Sequence, residues 1–167
     1  MKTFAELFTI IKLPLAIILS FIISFVLAVI PLPSVIDFLR PLWVPVLLIC
    51  WVLKFPTKVG FIPAFIIGFF LDVLYGVPLG THSIALVLIV YLLIKFDRRF
   101  LFFSFWQKMT TIFCLIIIYS LPSFFYELMT AKPVDFKLYL FPAITSVLLW
   151  PGILFLLDKY STKLELR

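Results

Sequence analysis

Residues 60–83 read GFIPAFIIGFFLDVLYGVPLGTHS, and a small residue or a carboxylate recurs at every fourth position of this stretch. The repeating residues are Gly60, Ala64, Gly68, Asp72, Gly76 and Gly80. Residues four apart lie on one face of an α-helix, so the repeat predicts a narrow stripe of small side chains wherever the helix continues.

The stripe predicts close helix packing, because helices in a bilayer associate through van der Waals contact that small residues permit. We expect Gly60, Ala64 and Gly68 to form this packing stripe and their helix to lie at the middle of a bundle. Asp72 is the charged residue in the repeat, and an ionised aspartate at the bilayer centre costs roughly 2.5–3.5 kcal/mol on insertion scales. Its carboxylate should therefore face protein, a polar cavity or the interface. Two roles remain open: a structural ion pair or helix-end hydrogen bond, and direct contact with a partner or ligand.

The composition is that of an integral membrane protein with a single all-α transmembrane domain over residues 1–167. The chain is 65% hydrophobic, compared with about 45–50% apolar residues in soluble domains, and its mean hydropathy is +1.26. The formal charge of +6 comes from lysines and arginines at the ends of apolar runs, where topology and anionic lipid explain them. Nucleic-acid binding is therefore not expected.

The apolar runs predict six transmembrane helices, preceded by a short amphipathic segment at residues 2–12. The predicted spans are residues 13–30, 42–55, 59–75, 81–96, 109–128 and 138–157. The second span reaches only about 21 Å of a hydrocarbon core about 30 Å thick, so we expect it to be thin, extended at its ends or partly re-entrant. Gly76 suits a left-handed cap at the end of the third span, and Thr81 or Ser83 can cap the fourth.

The distribution of basic residues predicts that both termini lie in the cytoplasm. Eleven of the 14 lysines and arginines fall in the termini and in the connectors on one side of the six spans, and three fall on the other side. This orientation places the connector with Arg40 and the turn with Gly76 and His82 at the outer face. We therefore expect Arg40 and Asp72 to form an ion pair there.

No cofactor, metal site or catalytic site is predicted. His82 is the single histidine and has no second ligand at metal-binding spacing. The sequence contains none of the common hydrolase, metalloprotease or phosphate-binding motifs, and few ionisable residues of the kind that transporters carry inside their spans. An enzyme and an independent carrier are both disfavoured, which leaves a membrane scaffold or subunit.

The segment Leu39-Arg40-Pro41-Leu42-Trp43-Val44-Pro45, followed by the glycine and aspartate repeat, resembles the MreD family of bacterial rod shape-determining proteins. The resemblance covers essentially the whole chain. It implies a non-enzymatic scaffold in the inner membrane that belongs to the elongasome, the machine for lateral cell-wall synthesis. The partners it implies are MreC first, and also MreB, RodZ, RodA and its class B penicillin-binding transpeptidase.

The resemblance also implies a fold similar to that of the substrate-binding S components of energy-coupling-factor vitamin transporters. Membrane lipid is a further expected partner. The arginine and aspartate motifs of the family carry over to Arg40 and Asp72. The full set of binding or structural motif residues is Arg40, Pro41, Trp43, Gly68, Asp72, Gly76, Gly80 and His82. The alternative is a ligand-binding subunit that holds a vitamin or a lipid-linked wall precursor.

Overall fold

The computed structural model describes residues 4–31, 33, 37–130 and 135–165, and all regular structure in these ranges is helical. A short 3₁₀ turn at Asp37–Leu39 precedes the second helix. The six α-helices are α1 Phe4–Val29, α2 Trp43–Lys54, α3 Phe61–Tyr75, α4 Thr81–Leu101, α5 Phe105–Met129 and α6 Lys137–Glu165. The predicted all-α class is confirmed.

Three helices contain a stretch that is long and apolar enough to cross a membrane. These stretches are Lys12–Val29, Phe105–Met129 and Lys137–Lys159, and shorter apolar helices cover Phe61–Tyr75 and Thr81–Phe96. The segment predicted as a separate amphipathic lead is, from Phe4 onward, the first part of α1. Glu6 and Lys12 therefore lie on the same unbroken helix as the first span.

The centre of the bundle is α2, which packs against α1, α4, α5 and α6. Its nine consecutive residues Val44–Val52 are all buried. α2 is apolar around its whole circumference, and neighbouring helices cover it on every side. This enclosure also explains the short length: the 12 residues of α2 span about 18 Å, and helices rather than lipid surround them.

The expectation that the small-residue helix α3 lies at the middle of the bundle is wrong. α3 packs mainly against α4, and Ile62, Phe65 and Val73 on its opposite side are exposed. A stripe of small residues on one side of a helix permits close packing against one neighbouring helix. It does not imply that other helices pack against the remaining sides. α3 is therefore a peripheral helix that is tightly attached along one side.

Successive helices run in opposite directions, which gives the bundle two ends. One end, here called the Asp72 end, contains the Asp37–Trp43 connector, the α3–α4 turn and the start of α6. Phe38 of the connector and Phe141 of α6 make an edge-to-face ring contact there at 5.2 Å. At the other end, here called the Lys54 end, the Lys54 ammonium pairs with the Asp158 carboxylate at 2.8 Å. All the predicted motif residues except Gly68 lie close to the Asp72 end.

Candidate functional site

At Gly68 the backbone of α4 comes close to α3. A Cβ atom added at this position would lie 2.4 Å from the Ser83 Cα and 2.6 Å from the Ser83 nitrogen, so only glycine allows the contact. Ala64, one turn earlier on the same face, is completely buried. Gly60 lies just before α3 as its N-cap. A Cβ atom added there would have its nearest neighbour, the Pro56 carbonyl oxygen, at 3.9 Å, so Gly60 is not at a close helix contact.

The turn after α3 depends on two glycines with positive φ angles. Gly76 has φ +63° and ends α3 in the left-handed conformation, as predicted. Gly80 has φ +105° and begins α4. Residues with a Cβ rarely adopt these conformations, so the two glycines reverse the chain within a few residues at little cost. The start of α4 is thereby returned to the side of α3 that carries Asp72.

The Asp72 carboxylate caps the N-terminus of α4 from the neighbouring helix. Its Oδ2 accepts the Gly80 backbone N–H at 2.8 Å, and its Oδ1 accepts the His82 backbone N–H at 2.7 Å. In other helices a serine or aspartate at the N-cap position accepts hydrogen bonds from the first backbone N–H groups. The N-cap residue of α4 is Gly80, which has no side chain to do this. A carboxylate there also interacts favourably with the positive end of the helix dipole.

Two side chains of α4 complete the coordination of the carboxylate. The Ser83 hydroxyl donates to Oδ2 at 3.1 Å, and the His82 Nδ1 lies 2.8 Å from Oδ1. The Asp72 side chain is fully buried. Of the two roles left open for Asp72, the geometry is that of the helix-end hydrogen bond. The two predicted caps act differently: Ser83 binds Asp72, and the Thr81 hydroxyl donates to the Pro78 carbonyl at 2.7 Å.

The His82 ring is held between two tyrosines as well as by the carboxylate. Its centroid lies 5.4 Å from that of Tyr75 and 5.6 Å from that of Tyr119, so α3 and α5 both contact it. Aspartate, histidine and serine meet here, but Ser83 binds the carboxylate rather than the imidazole. In a hydrolytic triad the imidazole accepts the serine proton, so this arrangement lacks the contact on which that chemistry depends.

The predicted Arg40–Asp72 pair is wrong. The Arg40 guanidinium donates to the Ala28 carbonyl at 2.6 Å and to the Ile30 carbonyl at 2.8 Å, and it pairs with the Asp37 carboxylate at 2.9 Å. Both carboxylate oxygens of Asp72 accept hydrogen bonds from the start of α4. The prediction failed because each charge satisfies the helix end closest to it: Arg40 binds terminal carbonyls of α1, which also carry the negative end of that helix dipole.

Pro41 and Trp43 belong to the same part of the chain as Arg40. Trp43 is the first residue of α2, and its backbone N–H donates to the Pro41 carbonyl at 3.0 Å. The preceding backbone N–H, of Leu42, donates to the Ser146 hydroxyl of α6 at 2.8 Å. Sequence reasoning missed Ser146, and no local pattern indicates it, because the two partners are 104 residues apart.

The predicted motif residues thus form two groups. One group is Gly68, Asp72, Gly76, Gly80 and His82, which the α3–α4 turn brings together; the other is Arg40, Pro41 and Trp43. Across the described ranges, no hydrogen bond or ion pair joins the groups. The same ranges contain no cluster of three histidine, cysteine or acidic residues that could hold a metal ion.

The comparisons with known proteins agree on one family. The family model described as "rod shape-determining protein MreD" matches residues 9–160, which include both groups of site residues. The chain belongs to the MreD family. A curated relative, the rod shape-determining protein MreD of Haemophilus influenzae, is 29% identical over 147 residues, which are 88% of this chain and 91% of the relative.

Membership in the MreD family fits the membrane character of the helices. The name of the family states a role in determining rod shape, and the long apolar helices of this MreD-family chain point to a membrane protein. No solved structure matches the chain significantly. The likeness to S components of vitamin transporters stays a prediction.

Proposed function

We propose that this chain is a non-enzymatic scaffold of the elongasome in the bacterial inner membrane, where it binds MreC and helps to couple MreB filaments to lateral peptidoglycan synthesis. The observation that carries the proposal is the state of the Asp72 carboxylate. Gly80, His82 and Ser83 occupy both of its oxygens, so it holds α4 against α3 rather than presenting a charge to a ligand. A helix pair fixed in this way supplies a constant surface for a partner protein.

The proposed topology has six spans with both termini in the cytoplasm. Its support is the excess of lysine and arginine at the Lys54 end, where eleven of the 14 basic residues fall by chain position. The Asp72 end then faces the periplasm, where the outer segments of MreC and of the wall-synthesis enzymes lie. We therefore propose that the chain is a multi-pass protein of the inner membrane. RodZ, RodA and its transpeptidase are the further proposed partners.

The proposed contact surface for the MreC transmembrane helix is the outward face of α3. This face consists of Ile62, Phe65, Phe69 and Val73, which are spaced as one side of a helix and are all exposed. α3 is backed by α4 and is covered on no other side by a closely packed helix. A single transmembrane helix of a partner can therefore pack along α3 without displacing any part of the bundle.

The test is copurification of MreC with this chain in detergent. Cell shape is recorded in parallel, in a strain in which the variant is the only copy of this protein. We expect Ile62→Trp and Val73→Trp to reduce the MreC recovered and to round the cells, because each adds bulk within a close helix contact, one near either end of the α3 face. Leu148→Trp on α6 is the matched control: Leu148 is exposed on another helix and should retain MreC and rod shape.

The result also separates the scaffold from the ligand-binding alternative. If all three tryptophan variants retain MreC, the α3 face is not the contact surface. If the purified chain instead carries a vitamin or a lipid-linked wall precursor detectable by mass spectrometry, and cells without the chain remain rod-shaped, the scaffold proposal is wrong.

A further inference from the structure

A large open groove separates α1 from α3 at the periphery of the bundle. Its volume is about 880 Å³, at the upper end of the ~300–1,000 Å³ range of small-molecule sites. One side of α1, from Leu13 to Phe25, forms the first wall, and α3 from Pro63 to Phe70 forms the second. Apart from Lys58, every residue that lines the groove is apolar.

The length of the groove matches one leaflet of a bilayer. Leu13 to Phe25 covers about 18 Å along α1, and Pro63 to Phe70 covers about 10 Å along α3. Half of the hydrocarbon core is about 15 Å thick, whereas a crossing helix needs about 30 Å. The groove therefore fits acyl chains that enter from the Lys54 end, and a partner helix that crossed the membrane would extend well beyond it.

Lys58 gives the groove a charged entrance. It lies in the turn between α2 and α3, its side chain is exposed, and it forms no ion pair with any residue that the structure describes. The nearby Lys54 differs, because Asp158 neutralises it at 2.8 Å. An ammonium at the mouth of an apolar groove complements a phosphate that is attached to hydrocarbon chains.

We propose that the groove between α1 and α3 binds one anionic phospholipid, with its acyl chains against the two helices and its phosphate at Lys58. The leaflet follows from the proposed orientation: the Lys54 end faces the cytoplasm, and the cytoplasmic leaflet carries the negative surface potential that attracts lysine. The bound lipid fills the gap that the helices leave and holds α3 at a fixed distance from α1.

The experiment is native mass spectrometry of the full chain, purified in detergent with equal amounts of phosphatidylglycerol and phosphatidylcholine. We expect one phosphatidylglycerol per chain, in preference to phosphatidylcholine. Lys58→Gln should weaken this preference about fivefold, the change that corresponds to the ~1 kcal/mol of one lysine at an anionic surface. Ile66→Trp, which puts a bulky ring into the groove, should remove bound lipid of both kinds.

Two matched controls distinguish the groove from the rest of the surface. Ile62→Trp changes the same residue type on the same helix, but Ile62 is 74% exposed and does not line the groove. Lys95→Gln removes a basic residue of α4 that lies over the Tyr91 ring and not at the groove. Both variants should keep the wild-type lipid and its preference.

Equal retention of the two lipids by the wild type, or an unchanged preference in Lys58→Gln, would overturn the proposal. A dimer mass that disappears in Ile66→Trp would assign the groove to a second copy of the chain instead. Loss of MreC in Ile66→Trp without any change in lipid would assign it to the partner helix. Since the MreC test uses Ile62 and Val73, failure of the lipid site leaves the proposed function standing, and the reverse also holds.

Discussion

Replacement of Asp72 should destabilise the bundle in a graded way, because its carboxylate supplies the cap that α4 lacks. Asp72→Ala removes the acceptor from two backbone N–H groups, those of Gly80 and His82, and from the side chains of His82 and Ser83. His82 and Ser83 are buried, Gly80 is partly buried, and Asp72 itself is completely inaccessible. Little water can replace the lost bonds.

The magnitude follows from the number of donors left without a partner. A buried unsatisfied donor costs about 1–3 kcal/mol, and loss of a helix cap costs about 0.5–2 kcal/mol. The two backbone donors together give an expected loss of about 2–6 kcal/mol for Asp72→Ala. In Asp72→Asn one oxygen remains and its NH₂ group faces the Gly80 N–H, so a single backbone bond is lost and about 1–2 kcal/mol is expected.

The chain offers a built-in probe for this measurement. Of its two cysteines, Cys50 is buried in the central helix α2 and Cys114 is exposed. In a Cys114→Ser background, a thiol-reactive dye reports the opening of the bundle around Cys50 during denaturation in detergent. The expected order of resistance is wild type, then Asp72→Asn, then Asp72→Ala.

Asp37→Asn is the control, because it alters an aspartate at the same end of the bundle that is 55% exposed and pairs with Arg40. Exposed ion pairs contribute about 0–1 kcal/mol, so this variant should stay close to the wild type. If both Asp72 variants denatured with the wild type, or if Asp72→Asn were as unstable as Asp72→Ala, the capping account would be refuted.

Three further substitutions test the local geometry with the same dye. Gly68→Ala should cost about 1–3 kcal/mol of stability by forcing the first turn of α4 away from α3. Gly152→Ala is the control, because an added Cβ there meets open space; equal stability of the two variants would contradict the close contact at Gly68. Gly76→Ala should cost about 1–2 kcal/mol for its left-handed φ, and no loss would contradict that conformation. Arg40→Lys should leave α1 carbonyls without their guanidinium donors and lower the free energy of unfolding by about 1 kcal/mol. Wild-type stability in this variant would contradict the role given to Arg40.

The sequence by itself determined the helical class, the positions of the helices and the turn between α3 and α4. Runs of apolar residues mark helices because a bilayer requires every backbone group to bond within its own segment. Gly76 marks the end of α3 because a left-handed residue there is cheapest without a side chain. Gly68 was recognisable as a small residue on the face of Asp72, since four-residue spacing is a property of one helix alone.

The tertiary structure alone decided which helix lies at the centre and which partners the charges take. In a membrane, apolar residues face lipid and protein alike, so hydrophobicity did not reveal that α2 is enclosed and α3 peripheral. Arg40 and Asp72 lie at the same end of the bundle, but each binds the backbone of a nearby helix terminus rather than the other charge. Such contacts depend on where separate helices come to rest in space, and the spacing of residues along the chain carries no record of those distances.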